Sequence, residues 1–174
     1  MTRICIFGAG AIGGYMAAAL DKAGADVSLV ARGPHLEAIR QSGLRCEIDG
    51  KISTHHLNAS DRPQELGAQD YVILAVKAHA IPAIIEDIKP LLRAETAIVP
   101  AVNGVPWWYF YQAGTNTPLD NTPLQAVDPA GRIYYEIGAE RAIGCVVYPA
   151  CEIAEPGLVR HLEGVNIFNG SVKG

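Results

Sequence analysis

The sequence predicts an α/β fold in which a doubly wound, mostly parallel sheet carries helices on both faces. Three observations lead to this prediction. Residues 4–7 form a short apolar strand that runs into a glycine-rich turn and then into an alanine-rich helix. Residues 71–76 are continuously apolar, as expected of a parallel strand buried on both faces. Asp49-Gly50 separates two alternating runs, which indicates a small antiparallel excursion from the parallel arrangement.

The turn after the first strand has the spacing glycine-x-glycine-x-x-glycine, at Gly8, Gly10 and Gly13. In this pattern the first glycine makes the sharp exit from the strand, the second lets a pyrophosphate approach the backbone, and the third lets the helix pack closely. The helix N-terminus then directs free N–H groups and its positive dipole end at the phosphates. We interpret the segment as a Rossmann-type dinucleotide-binding loop, with a purely structural turn as the alternative. The predicted cofactor contacts of the loop are Gly8, Ala9, Gly10, Ala11, Ile12 and Gly13.

Length and composition restrict the classes of protein that the chain can represent. Its 174 residues allow one large domain, or one domain with an appendage. The formal net charge is −4 without a basic cluster, so we expect neither nucleic acid nor a membrane as a partner. The apolar runs are too short to span a bilayer, and the N-terminus lacks the pattern of a signal peptide. The scattered cysteines predict reduced thiols in a cytoplasmic protein; they are Cys5, Cys46, Cys145 and Cys151.

Arg32 follows the second predicted strand, residues 26–31, at the place where an NAD site carries Asp or Glu to bind the ribose 2′-hydroxyl. A carboxylate at this position would repel a 2′-phosphate, whereas an arginine fork can hold it in a bidentate, charge-assisted pair. We therefore predict that Arg32 selects NADP(H). A solvated arginine at the end of a strand is the alternative.

Two further polar residues follow predicted core strands. Lys77 comes directly after residues 71–76, and Asn103 follows the strand at residues 96–99. The carboxyl ends of such strands form the edge of the sheet at which ligands bind. Lys77 would place a cation in the crevice, and the Asn103 amide can both donate and accept hydrogen bonds. The alternatives are a solvated lysine and a plain Asn-Gly turn.

For the remaining segments, the sequence mainly predicts structure and assigns no chemical role. His55 and His56 are interpreted as surface-loop residues and not as metal ligands, because no carboxylate or cysteine lies near them in the sequence. A helix is predicted from Ile81 to Leu92. The aromatic cluster that begins with Trp107 and Trp108 is expected to cover the sheet and dock a neighbouring domain, with a place in the wall of a substrate pocket as the alternative.

These motifs resemble the N-terminal domain of the ketopantoate reductase (2-dehydropantoate 2-reductase) family. The resemblance rests on the glycine loop and, in order, on Val30-Ala31-Arg32-Gly33, Ala75-Val76-Lys77-Ala78, Asn103-Gly104 and Pro156-Gly157-x-Val159-x-His161. It implies an oxidoreductase in which NADPH gives hydride to ketopantoate or a similar 2-keto acid, on the pantothenate route to coenzyme A. It assigns the glycine loop to the pyrophosphate and Arg32 to the 2′-phosphate. Lys77 and Asn103 would then lie beside the ribose, the nicotinamide and the substrate, and no metal is implied.

Members of this family continue into a helical domain that supplies a lysine as general acid and most substrate contacts. We therefore expect residues 1–170 to form the cofactor domain, residues 171–174 to begin a linker, and the helical domain to be absent. Without the acid, the alkoxide left by hydride transfer lacks a proton donor, so the chain alone should bind NADP(H) with little catalysis. A stand-alone NADP(H)-binding regulatory module and the cofactor domain of another NADP-linked hydroxy acid dehydrogenase stay open as alternatives. Exposed apolar surface near the tryptophans also leads us to expect a homodimer.

Overall fold

The computed structural model describes residues 1–164 and 167–170. The strands in this part of the chain are β1 (Arg3–Phe7), β2 (Asp26–Val30), β3 (Leu44–Ile48), β4 (Lys51–His55), β5 (Asn58–Ser60), β6 (Tyr71–Leu74), β7 (Ala97–Pro100), β8 (Gly144–Val147), β9 (Ala150–Glu155), β10 (Leu158–Glu163) and β11 (Ile167–Gly170). Its α-helices are α1 (Ala11–Lys22), α2 (Gly33–Ser42) and α3 (Ile85–Ile88). The predicted linker at residues 171–174 lies outside the described residues.

The main sheet is parallel and has the strand order β5-β2-β1-β6-β7. Helix α1 packs on one face, where Ile4 and Ile6 of β1 belong to the same apolar cluster as its residue Ala17. The segment between β6 and β7 packs on the other face, where Cys5 and Phe7 point. Because successive residues of β1 enter opposite cores, both faces of the strand are buried, and the predicted doubly wound arrangement is confirmed.

The antiparallel excursion is larger than the sequence indicates. The Asp49-Gly50 hairpin does pair β3 with β4, but β3 also pairs in parallel with β10, giving a second sheet with the order β4-β3-β10-β9. This sheet packs on α1. A Cβ on Gly14 would lie 2.7 Å from Cγ2 of Val159, so the helix and β10 are in close contact. The second sheet therefore covers the face of α1 that the main sheet leaves free.

The predicted helix from Ile81 to Leu92 is wrong as a continuous helix. The segment consists of a 3₁₀ helix at Ala78–Ile84, the single turn of α3, and a second 3₁₀ turn at Lys89–Leu91. Pro82 and Pro90 lie inside it, and each removes a backbone donor that an α-helix needs. The segment still buries its apolar residues against the main sheet, as a crossover between parallel strands must.

His55 is not the surface-loop residue that was expected. It ends β4 with a buried side chain, and its Nδ1 lies 2.6 Å from Oδ2 of Asp21 in α1. Its Nε2 lies 2.9 Å from Oγ of Ser53. The partner carboxylate is 34 residues away in the sequence, so adjacency along the chain could not reveal it. Within the described ranges, no group of His, Cys, Asp and Glu side chains could hold a metal ion, and no helix is long and apolar enough to cross a membrane.

The cysteines are free thiols, and burial controls their reactivity. Burial raises the pKa of Cys5 to about 12. Burial, together with the proximity of Cys46, raises the pKa of Cys151 to about 11. At pH 8 a pKa of about 11 leaves roughly one thiol in a thousand ionised and a pKa of about 12 roughly one in ten thousand, and the thiolate is the reactive form.

We therefore predict that the native chain reacts slowly with a disulfide reagent such as dithionitrobenzoate at pH 8. In guanidinium chloride all four thiols should react at the rate of free cysteine, because unfolding restores their ordinary pKa. The measurement is the absorbance time course with and without denaturant. A native thiol that reacts as fast as free cysteine would contradict the buried positions described here.

Candidate functional site

The turn between β1 and α1 has the geometry that its glycine spacing predicts. Gly8 has φ +103°, and a Cβ there would lie 2.8 Å from Cγ1 of Val76. A Cβ on Gly13 would collide with the carbonyl oxygen of Gly8. A side chain is therefore excluded at both positions, one by backbone conformation and crowding, the other by the close approach of the helix to the strand end.

Gly10 differs from these two glycines, because a Cβ there would meet nothing within 4 Å. Its φ of −70° is also open to other residues. The protein itself thus does not require glycine here, and the space in front of the backbone is free for a ligand. The first N–H groups of α1, at Ala11 and Ile12, have no acceptor within the helix and face the same end. The open space at Gly10 and these N–H groups together fit a phosphate group.

A groove of about 350 Å³ lies between the carboxyl ends of β1 and β2. The structure thus brings Arg32 together with the glycine loop, as the sequence predicts for a dinucleotide site. The Arg32 side chain is 68% exposed, and one of its guanidinium nitrogens lies 3.3 Å from Oδ2 of Asp87 in α3. An exposed ion pair of this kind contributes little stability, so the guanidinium can exchange partners. The groove is lined by Gly8, Gly10, Ala31, Arg32, His35 and Val76, among others.

Sequence reasoning did not single out His35, which lines the groove. Its Nδ1 accepts a hydrogen bond from the N–H of Gly157, in the turn between β9 and β10, at 3.0 Å. This bond assigns the ring proton to Nε2. Burial lowers the pKa of His35, and the Ala9 backbone opposes part of that shift, so burial favours the neutral ring. His35 therefore ties the second sheet to the groove. Its position three residues after Arg32 is the only signal in the sequence.

Lys77 and Asn103 also lie at this edge of the main sheet, where β6 and β7 end. Lys77 is exposed, precedes the 3₁₀ helix at Ala78–Ile84, and has no ion pair or side-chain hydrogen bond within the described part of the chain. Both polar atoms of the Asn103 amide are hydrogen-bonded. Its Nδ2 donates to the carbonyl oxygen of Val147, and its Oδ1 accepts from the N–H of the same residue, both at 2.9 Å. Asn103 thereby links the loop after β7 to β8.

A second cavity, of about 570 Å³, opens beyond the ends of β7 and β8, and Asn103 lies in its wall. Trp107 and Trp108 line it as well, with their rings edge to face at 4.4 Å. Trp107 is only 3% exposed, so it covers the sheet but is not available to dock another domain. The prediction that the aromatic cluster docks a neighbouring domain is therefore wrong for Trp107. Its position in the wall of a cavity corresponds to the alternative.

Comparison with known proteins connects this geometry to a family. The model of the family "Ketopantoate reductase PanE/ApbA" matches residues 4–174. A 2-dehydropantoate 2-reductase of Mesorhizobium japonicum is 53% identical over 99% of this chain and 52% of its own length. Another, of Lactococcus lactis, is 36% identical over 59% of this chain and 34% of its own length. The chain thus spans about half the length of the first of these relatives, and less of the second.

Solved structures give the same result. A putative ketopantoate reductase from Ralstonia solanacearum superimposes with a TM-score of 0.88 at 44% identity, over 98% of this chain and 52% of that one. D-mandelate dehydrogenase, solved with NADH and anilino(oxo)acetate, has a TM-score of 0.72 at 21% identity, over 93% of this chain and 46% of that one. The second similarity supports the fold alone.

We predict that Asn103→Ala lowers the free energy of unfolding by about 1–2 kcal/mol, because two hydrogen bonds to an exposed strand end are lost. Asn103→Asp should also destabilise, since it keeps the acceptor for the Val147 N–H but places a carboxylate against the Val147 carbonyl. The measurement is urea unfolding followed by circular dichroism. Gln125→Ala, at an exposed loop position, is the control. Stability equal to wild type in both Asn103 variants would refute the structural role.

Proposed function

The chain belongs to the ketopantoate reductase family, and on this premise we propose that it is the NADP(H)-binding part of a 2-keto acid reductase. The reaction is hydride transfer from NADPH to the keto carbon of ketopantoate or a similar 2-keto acid. The observation that carries the proposal is the position of Arg32 beside a glycine loop whose open side a phosphate can enter. The free thiols support a cytoplasmic location.

The groove supports a cofactor with a 2′-phosphate. The glycine loop and the first N–H groups of α1 would hold the pyrophosphate, with Gly10 leaving room for it. The Arg32 guanidinium would leave Asp87 and form a charge-assisted pair with the 2′-phosphate. His35 would hold the second sheet against this end of the groove. NADP(H) is thus our proposed cofactor, in preference to NAD(H).

Lys77 and Asn103 do not line the groove but follow β6 and β7 at the same edge of the sheet, and we assign them to the substrate side. The bound cofactor supplies the hydride. Lys77 is exposed at the edge of the sheet, has no ion pair among the residues that the structure describes, and would attract the carboxylate of the keto acid. Asn103 holds the loop after β7 against β8, which fixes the wall beside the reacting carbon. The alkoxide that forms needs a proton, and we assign its delivery to the half of the relatives that extends beyond this chain. The chain alone should therefore bind cofactor but reduce keto acids slowly.

Arg32→Ala tests directly whether Arg32 makes the site prefer NADP(H) over NAD(H). We expect NADPH affinity to fall about 10- to 100-fold, the loss of one charge-assisted hydrogen-bonding partner, while NADH affinity stays within about twofold. The measurement is calorimetric titration of each cofactor. Arg62→Ala is the matched control, because Arg62 is an equally exposed arginine paired with a carboxylate, Glu65, outside the groove. Equal NADPH affinity of the wild type and Arg32→Ala would contradict the proposed role of Arg32 in binding the 2′-phosphate.

Asp87→Asn should have the opposite effect. The Asp87 carboxylate competes with a 2′-phosphate for Arg32 and repels it, so removing its charge should tighten NADPH binding about two- to fivefold at low salt. NADH binding should not change. Asp61→Asn, which removes the carboxylate facing Arg40 at 3.8 Å, is the control. Weaker NADPH binding by Asp87→Asn would mean that Asp87 orients Arg32 productively and does not compete with the phosphate.

A further inference from the structure

Ser53, His55 and Asp21 form a hydrogen-bonded chain where β4 meets α1. Oγ of Ser53 lies 2.9 Å from Nε2 of His55, and Nδ1 of the same ring lies 2.6 Å from Oδ2 of Asp21. None of the three residues lines the groove at Arg32 or the cavity beside Asn103. A hydroxyl, an imidazole and a carboxylate linked in this order are the groups that activate a serine for nucleophilic attack.

The hydrogen-bond partners fix the proton positions in this chain when the imidazole is neutral. An ionised carboxylate only accepts, so the ring proton lies on Nδ1 and is donated to Asp21. Nε2 then carries a lone pair, and the Ser53 hydroxyl is the donor that lies 2.9 Å from it. The other acceptor near this hydroxyl, the carbonyl oxygen of Cys46, is farther away at 3.3 Å. The neutral ring of His55 is therefore oriented to take the Ser53 proton.

Exposure to solvent differs between the three side chains. The His55 side chain is 7% exposed, and it cannot turn without breaking the bonds at both of its nitrogens. Ser53 itself is exposed, and β4 is an edge strand of the second sheet. A reagent in solution can therefore reach the hydroxyl, while the base behind it is held in place.

The backbone next to Ser53 offers an N–H group for the oxygen of an attacked carbonyl. Ile48 and Lys51 close the two-residue turn as a hydrogen-bonded pair, and such pairs alternate along a hairpin, so the Ser53 N–H faces β3. The N–H of Thr54 therefore points away from β3, where β4 has no neighbour among the described strands. A carbonyl oxygen that becomes negative beside Ser53 could accept a hydrogen bond from this group.

We propose that Ser53 is a nucleophilic site that accepts an acyl group from an activated ester, with His55 as general base and Asp21 positioning the ring. The Ser53 oxygen forms a bond to the ester carbonyl carbon, and its proton passes to Nε2 of His55. The bond from that carbon to the leaving oxygen breaks, and the leaving group departs with the electron pair. Nε2 then gives its proton to the leaving group or to water. The products are acylated Ser53 and the free alcohol or phenol.

Reaction of the whole chain with p-nitrophenyl acetate tests this proposal, because the released p-nitrophenolate is coloured and the acetyl group stays on its acceptor. Samples quenched in acid at short times are digested, and mass spectrometry locates the acetyl groups. Ser42 is the internal reference, since it is an exposed serine at the end of α2 without an imidazole partner in the described part of the chain. General-base assistance contributes about 10²–10⁴-fold, so Ser53 should be acetylated roughly tenfold faster than Ser42 or more. Acetylation of Ser53 that is no faster than that of Ser42 overturns the proposal.

Two pairs of variants identify the nucleophile and the base. Ser53→Ala should abolish the fast release of p-nitrophenolate, whereas Ser42→Ala should preserve it. His55→Gln keeps a side chain that can form hydrogen bonds but removes the base, so acetylation of Ser53 should slow to the rate of Ser42. His56→Gln, which changes the exposed neighbouring histidine, is the matched control and should have no effect. An unchanged rate in His55→Gln would refute its role as the base, and thermal unfolding shows whether this variant keeps its fold.

The positioning role of Asp21 has its own test. In Asp21→Asn the amide can donate as well as accept, so the ring is no longer held with its proton on Nδ1. Acetylation of Ser53 should slow, and the nitrogen-15 chemical shifts of the His55 ring should report a loss of the Nδ1-protonated form. Asp21→Glu, which keeps the carboxylate, should restore part of the rate. An unchanged rate and unchanged ring shifts in Asp21→Asn would contradict the role of Asp21.

Discussion

The close approach of α1 to the end of β1 fixes the geometry on which the rest of the molecule depends. No side chain fits at Gly13, because its Cβ would collide with the Gly8 carbonyl oxygen. The helix N-terminus is therefore held directly over the sheet edge, where its free N–H groups face the groove. The next residue, Gly14, permits the same closeness to Val159 on the other side of the helix. Helix α1 thus positions both sheets relative to the loop.

The charged side chain at the groove can exchange its ion-pair partner. The Arg32 guanidinium forms an exposed ion pair with Asp87, which costs little to break. His35, in contrast, accepts a hydrogen bond from the Gly157 N–H, and burial lowers its pKa, which favours the neutral ring. A neutral ring adds no charge to the groove, so under the proposed function selection between dinucleotides would fall to the balance between Arg32 and Asp87. Both side chains belong to the start of α2: Arg32 directly precedes the helix and His35 lies in its first turn.

Local patterns predicted the main sheet well, since β1, α1 and β2 are specified by contiguous residues and by glycine spacing. Contacts between distant segments were not predictable. The pairing of β3 with β10, the carboxylate facing His55 and the backbone donor facing His35 all join residues far apart in the chain. The sequence placed Asn103 at the sheet edge, but only the structure shows that Val147 occupies its amide. Cofactor contacts of the individual residues stay predictions.

We propose that this chain recognises the phosphorylated adenosine end of NADP(H) with its own residues. The most direct measurement is calorimetric titration with 2′,5′-adenosine bisphosphate and with 5′-AMP, because the two ligands differ only in the 2′-phosphate and neither needs the nicotinamide end of the site. We predict one site per chain and binding of the 2′-phosphorylated nucleotide that is about tenfold tighter or more, weakening with salt. Equal affinity for the two nucleotides, or no binding of either, would contradict the account.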